Sequence, residues 1–102
     1  MALRKRRLRL GNQYMNRRMC YHFEHLEAEA NPTSDVCDQC VAKGDTWVHL
    51  RACLGCGSVG CCDNSKNRHA RKHWQEHNHP LIRSIEPGET WKYCFPDRYL
   101  VK

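Results

Sequence analysis

Cysteines and histidines carry the chemistry of this sequence. Two C-x-x-C pairs, Cys37/Cys40 and Cys53/Cys56, are followed by Cys61, His69, His73 and His79. A C-x-x-C turn delivers two thiolates to one ion, and imidazole can complete the four-donor tetrahedron that Zn2+ favours. One pair alone would say little. Two pairs followed by three histidines call for at least two ions. A disulfide framework or a reduced thiol core would leave the histidines without a role. The start, "MALRKRRLRLGNQYMNRRMC", has no continuous apolar stretch of the kind a secretory signal needs, which also favours metal over disulfides.

Spacing does not by itself pair the ligands. His69 and His73 are four residues apart, on one face of a helix. They can share an ion or serve two. A ribbon arrangement would put Cys37, Cys40, Cys53 and Cys56 on one zinc, leaving Cys61 or Cys62 with His69, His73 and His79 for another. In either case four protein ligands fill each ion, no position is left for water, and no H-E-x-x-H element is present. The expected role is structural rather than enzymatic. The metal replaces a core that a chain of 102 residues is too small to build from apolar side chains alone.

The elements that must position these donors can be read coarsely. "CYHFEHLEAEA" predicts a short helix or turn, broken by Pro32. The first knuckle is closed by Gly44. In "DTWVHLRAC", Trp47, His49 and Arg51 alternate with Val48, Leu50 and Ala52, which predicts a strand with one apolar face. After the second knuckle, Asn64 or Ser65 can cap a helix running through His77, stopped by Asn78 and Pro80. "LIRSI" and "TWKYCF" read as strands joined by the turn "EPGE". Val48, Leu50, Leu81, Ile82 and Trp74 form the expected apolar centre.

Charge divides the chain. Residues 1–19 hold seven Lys or Arg and no acid, whereas residues 20–102 hold ten basic and eleven acidic residues. The formal +6 therefore belongs to the first segment, which reads as a basic, flexible arm. RNA or ribosome contact through that arm is one expectation, with Lys66, Arg68, Arg71 and Lys72 on the main helix as further cations. No apolar run is long enough to cross a membrane. The absence of an export signal leads to an expected cytoplasmic location.

The run "CDQC…TWVHLRACLGCGSVGCC…NRHARKH…HP" resembles the UBP-type zinc finger, and within it the small stand-alone form found in bacteria. The likeness covers roughly residues 20–99. It implies a small zinc-stabilised α+β domain over residues 20–102, with a short twisted sheet, one main helix and cross-braced sites. By position, Cys37, Cys40, Cys61 and His69 resemble one zinc set, and Cys53, Cys56, His73 and His79 a second. The step from Cys56 selects Cys61 over Cys62. Larger members add a third zinc from an early C-x-H and a late C-x-x-C. Here those positions are Cys20, His22, Cys94 and Asp97, an oxygen ligand standing where a cysteine is usual.

The resemblance also implies a non-catalytic module that takes a protein or peptide in an aromatic-lined groove. In ubiquitin-binding members the ligand is a free carboxyl tail ending in two glycines. Trp47, Tyr93 and Phe95 match groove positions. The arginine that receives the carboxylate does not, because Asp63 stands near its place and would repel such a ligand. Arg51 and Arg68 are the candidates to replace the lost charge. A protein or peptide partner is therefore the leading expectation, with a ubiquitin-like tail as an alternative.

Overall fold

The computed structural model describes residues 20–102. The arm over residues 1–19, and the RNA or ribosome contact assigned to it, lie outside the described residues. Those described form α1 (Tyr21–Glu24), α2 (Asp38–Lys43), β1 (Leu50–Cys53), β2 (Val59–Cys61), α3 (His69–His77), β3 (Leu81–Ser84), β4 (Lys92–Cys94) and β5 (Tyr99–Val101). The strands make one antiparallel sheet in the order β2-β1-β3-β4-β5. α3 lies against β2 and β1, and α2 against β2. This is the expected small α+β architecture with one main helix.

The core is thin and rich in sulfur. Leu50, Ala52 and Val59 are buried with Cys37, Cys40 and Cys61, while Leu54 and Leu81 are buried with Cys20 and Cys94. Cysteines supply half of each cluster, so the residues that fill the interior are also the candidate metal donors. Two glycines let the backbone reach them. α2 ends at Gly44, whose φ of 75° allows its N–H to close on the last turn, so the chain can reverse after the first knuckle. At Gly60 a Cβ would stand 2.6 Å from the Ala70 nitrogen, so only glycine lets the start of α3 lie directly on β2.

Three expectations change. The strand predicted from Asp45 onward begins only at Leu50. The Val48 N–H donates to the Ser65 hydroxyl rather than to a neighbouring strand, so residues 46–49 are tied to the loop before α3. Val48 is accordingly 53% exposed and leaves the apolar centre, whereas Leu50, Leu81 and Ile82 are buried as expected. α3 begins at His69 rather than near Asn64 or Ser65. It is preceded by Arg68 in a left-handed conformation with φ of 48°, and no side chain caps it. Its end is where the sequence places it, with Asn78 left-handed at φ of 55°. β5 adds a strand beyond "TWKYCF".

Candidate metal centres and an aromatic cavity

α2 and the residue before it bring Cys37 and Cys40 to one buried point. The end of β2 adds Cys61, and the first residue of α3 adds His69. From His69 Nδ1 the three Sγ atoms lie at 3.2 Å (Cys37), 3.4 Å (Cys40) and 3.6 Å (Cys61), and Cys40 Sγ is 3.8 Å from Cys61 Sγ. With Zn–S about 2.3 Å and Zn–N about 2.0 Å, tetrahedral edges are about 3.8 Å for S···S and about 3.5 Å for S···N. The donor set fits that ion. Surrounding amides favour thiolate, since the His69 backbone N–H donates to Cys61 Sγ at 3.2 Å and Asn67 Nδ2 donates to Cys40 Sγ at 3.6 Å. Burial pushes the Cys37 thiol up to about 12 and holds His69 below its ordinary 6.5. Burial therefore disfavours the charged form of Cys37 on its own, and a thiolate at that position calls for a divalent cation.

The second cluster is met one turn further along α3, at His73. Cys53 at the end of β1 lies 3.5 Å from His79 Nδ1, Cys56 lies 3.3 Å from His73 Nε2, and the two imidazole nitrogens are 3.3 Å apart. These distances also match tetrahedral edges. Cys53 is buried and its thiol is pushed up by that burial, whereas Cys56 is exposed. Burial is the first cause holding His73 below its ordinary value, followed by neighbouring His77 and His79. The clusters are thus cross-braced, and the ribbon pairing does not occur. Cys62 joins neither. Its sulfur lies 3.4 Å from the Ser65 hydroxyl.

A third cluster joins the two ends of the described chain. Cys20 and His22 meet Cys94 of β4 and Asp97 of the turn before β5. Cys94 Sγ is 3.3 Å, and Cys20 Sγ 3.7 Å, from His22 Nδ1. The edges to Asp97 are shorter. Its Oδ2 accepts from the Cys20 thiol at 2.8 Å and lies 3.1 Å from His22 Nδ1. The Cys20 hydrogen bond is the first cause lowering the Asp97 carboxyl, and burial pushes the Cys94 thiol up to about 12. Three donor clusters therefore suit Zn2+, the third with an exposed carboxylate in place of a thiolate.

On one sheet face, cross-strand pairing lines up Arg51 with Ser84, and Ile82 with Tyr93 and Leu100. Together with Asp63 and Arg71 of the α3 side, this face bounds a cavity of about 260 Å³. Tyr93 and Phe95 line it as expected. Trp47 does not. It packs instead against the interior around the first cluster, because the chain there is anchored to Ser65 rather than extended along the sheet. The tryptophan of the cavity is Trp91. Positions 91, 93 and 95 share one strand face by the period of two, so this signal was present in the sequence.

Charge in the cavity is organised as stacked ion pairs. Phe95 stacks on Trp74 at 5.0 Å, and the Arg71 guanidinium lies 4.8 Å over the Phe95 ring. Asp63 holds Arg71 through Nη2 at 2.7 Å and Nε at 3.1 Å. Arg51 lies 4.5 Å over Trp91 and donates from Nη1 to the Leu50 carbonyl at 3.0 Å and the Ser84 hydroxyl at 3.4 Å. Of the two arginines read as substitutes for the missing cation, Arg51 lines the cavity and Arg68 does not. Arg71 was legible only as a helix cation.

A short sheet and helix braced by interleaved Cys/His clusters, beside an aromatic cavity, define a zinc-finger module. Residues 37–102 match the family described as "Zn-finger in ubiquitin-hydrolases and other protein", and the chain belongs to that family. It is similar to the BRAP2 RING ZnF UBP domain-containing protein 2 of Arabidopsis thaliana, 34% identical over 91 residues, covering 74% of this chain and 18% of that protein. It is also similar to ubiquitin carboxyl-terminal hydrolase 44 of Ailuropoda melanoleuca, 34% identical over 65 residues, covering 64% of this chain and 8% of that one. The chain thus spans less than a fifth of the length of these curated relatives. The solution NMR structure of protein RPA1320 from Rhodopseudomonas palustris superposes with a TM-score of 0.75 at 36% identity, covering 85% of this chain and 84% of that one.

Proposed function

We propose that residues 20–102 form a zinc-dependent module that binds a protein or peptide segment in the cavity walled by Trp91, Tyr93 and Phe95. The cavity carries this reading. Its apolar walls suit a narrow chain, and the arginines and acid at its rim give directional hydrogen bonding. Cys37, Cys40, Cys61 and His69 would hold one Zn2+, and Cys53, Cys56, His73 and His79 a second. Cys20, His22, Cys94 and Asp97 would hold a third. Bound Zn2+ supplies folding free energy, since its donors are also the interior. The chain's own residues do the recognition.

A ubiquitin-like tail is the second reading, favoured by the relative named a ubiquitin carboxyl-terminal hydrolase and by the position of Arg51 in the cavity. Nucleic acid is less well supported, because residues 20–102 carry no net positive charge. Calorimetry of the zinc-loaded protein against a peptide panel tests the proposal, with Tyr93→Ala as control. Binding that survives this substitution unchanged would place recognition elsewhere.

A further inference from the structure

Both arginines that line the cavity already face an acid of the same chain. Arg71 is held by Asp63 through both carboxylate oxygens. Arg51 faces Glu89, which reaches over from the β3–β4 connection, with Nη1 3.9 Å from Glu89 Oε1. Ser84 links the two more closely. Its hydroxyl accepts from Arg51 at 3.4 Å and donates to Glu89 Oε1 at 2.5 Å. A guanidinium and a hydroxyl are groups a ligand carboxylate would seek, and both are engaged by a carboxylate built into the chain.

We propose that Asp63 and Glu89 are specificity-determining residues that fit this cavity to an uncharged peptide segment and against a free carboxyl terminus. The inference rests on the cavity being the peptide site. A free carboxylate offers only acceptors. It would meet the Asp63 carboxylate as a like charge and would have to compete with Glu89 for Arg51. An amide offers both a carbonyl and an N–H. The carbonyl can accept from a guanidinium while the N–H donates to Asp63, so neither ion pair is broken. The Trp91 and Phe95 faces that Arg51 and Arg71 cover are not open to a cationic ligand. Charge balance and occupied rings together leave a neutral backbone as the complementary ligand.

The test uses a short peptide ending in glycines, prepared as the free acid, as the C-terminal amide, and with further residues added beyond the glycines. Affinities are measured by calorimetry, with the Trp91 indole resonance followed by NMR. The zinc-loaded protein is compared with Asp63→Asn, Glu89→Gln and the double variant. Both acids are solvent-accessible and their neutral isosteres keep an acceptor, so the variants should fold with an unchanged zinc count. The wild type should bind the amide or extended form at least as tightly as the acid. The double variant should move the acid-to-amide affinity ratio toward the acid by about tenfold, the worth of an unmasked charge-assisted hydrogen bond. Wild-type preference for the free acid, or a ratio unmoved in the double variant, would overturn the assignment while leaving the cavity as the peptide site. No binding of any form, with the indole resonance unchanged, would remove the underlying site itself. The extended form separates an internal segment from a blocked end.

Discussion

His69 and His73 lie one turn apart on α3 yet point into different donor clusters, the first with Cys37, Cys40 and Cys61, the second with Cys53, Cys56 and His79. One helix therefore pins the end of β2 and the end of β1. His69→Ala and His73→Ala should each lower the zinc content by one ion, and the ions lost should differ. Native mass spectrometry gives the count. X-ray absorption of the residual metal separates a three-sulfur from a two-sulfur site. The same residual spectrum in both variants would contradict the cross-brace.

Gly60 tests how closely that helix must sit. A Cβ here would meet backbone atoms of His69 and Ala70 at 2.6–2.9 Å, and backbone cannot rotate away. Gly60→Ala should cost about 1–3 kcal/mol, the range for an overpacked interior. It should also weaken the cluster that contains His69. Urea unfolding with zinc analysis measures both. Wild-type stability in this variant would mean that α3 is free to lift off β2.

The aromatic pair Trp47 and Trp91 separates packing from recognition, and it shows how far the sequence could be read. Trp91→Ala should lower peptide affinity by about tenfold while leaving the zinc content intact. Trp47→Ala should lower thermal stability and leave intrinsic peptide affinity unchanged in the folded fraction. Calorimetry and thermal melts on the two variants check this, and the reverse pattern would restore Trp47 to the groove.

That exchange has a physical origin. Alternation around Trp47 was a correct observation, but the Ser65 hydroxyl that takes the Val48 N–H comes from 17 residues away and leaves no mark on local pattern. The ligand types, by contrast, were legible because the C-x-x-C and i, i+4 spacings are local. Their pairing across the sheet was not. It needed the resemblance, since spacing alone admits a ribbon. Arg71 was equally hidden. Its position on α3 was readable, but its reach to Asp63 depends on a helix that starts at His69 rather than at the expected cap.

Acid should release the fold. His69 and His73 are held below their ordinary 6.5, burial leading in each case. Their neutral forms are favoured when folded, so this contribution is complete above 6.5. It is lost as pH falls below 6.5 and through the depressed folded values, because the unfolded chain takes up protons first. Zinc deepens the trend, since protons compete for the same nitrogens and sulfurs. The melting temperature should fall steadily on acidification from pH ~6.5, with zinc appearing free to a colorimetric chelator over the same interval. A rise in melting temperature on the acid side would oppose this linkage.

Asp97 offers the sharpest separation among the three clusters. Its carboxylate is the one oxygen donor in them, and its side chain is 41% exposed, whereas all four residues of the first cluster are buried. Carboxylate is harder than thiolate and matches Zn2+ less well, so the third ion should be the first lost to a chelator. Asp97→Cys should slow that loss. Asp97→Ala should remove one zinc and leave two. The consequence for the fold should be local. α1 is held by Cys20 and His22 in the cluster, and by Phe23 and Leu26 packed against Leu54, Leu81 and Cys94. Those apolar contacts remain when the ion leaves. Amide exchange should therefore rise at residues 20–26, while Ala30, whose N–H donates to the Leu54 carbonyl at 2.9 Å, stays protected. Equal zinc content in wild type and Asp97→Ala, with exchange unchanged near Cys20, would show that Asp97 is no ligand and only a hydrogen-bond partner of Cys20 and His22.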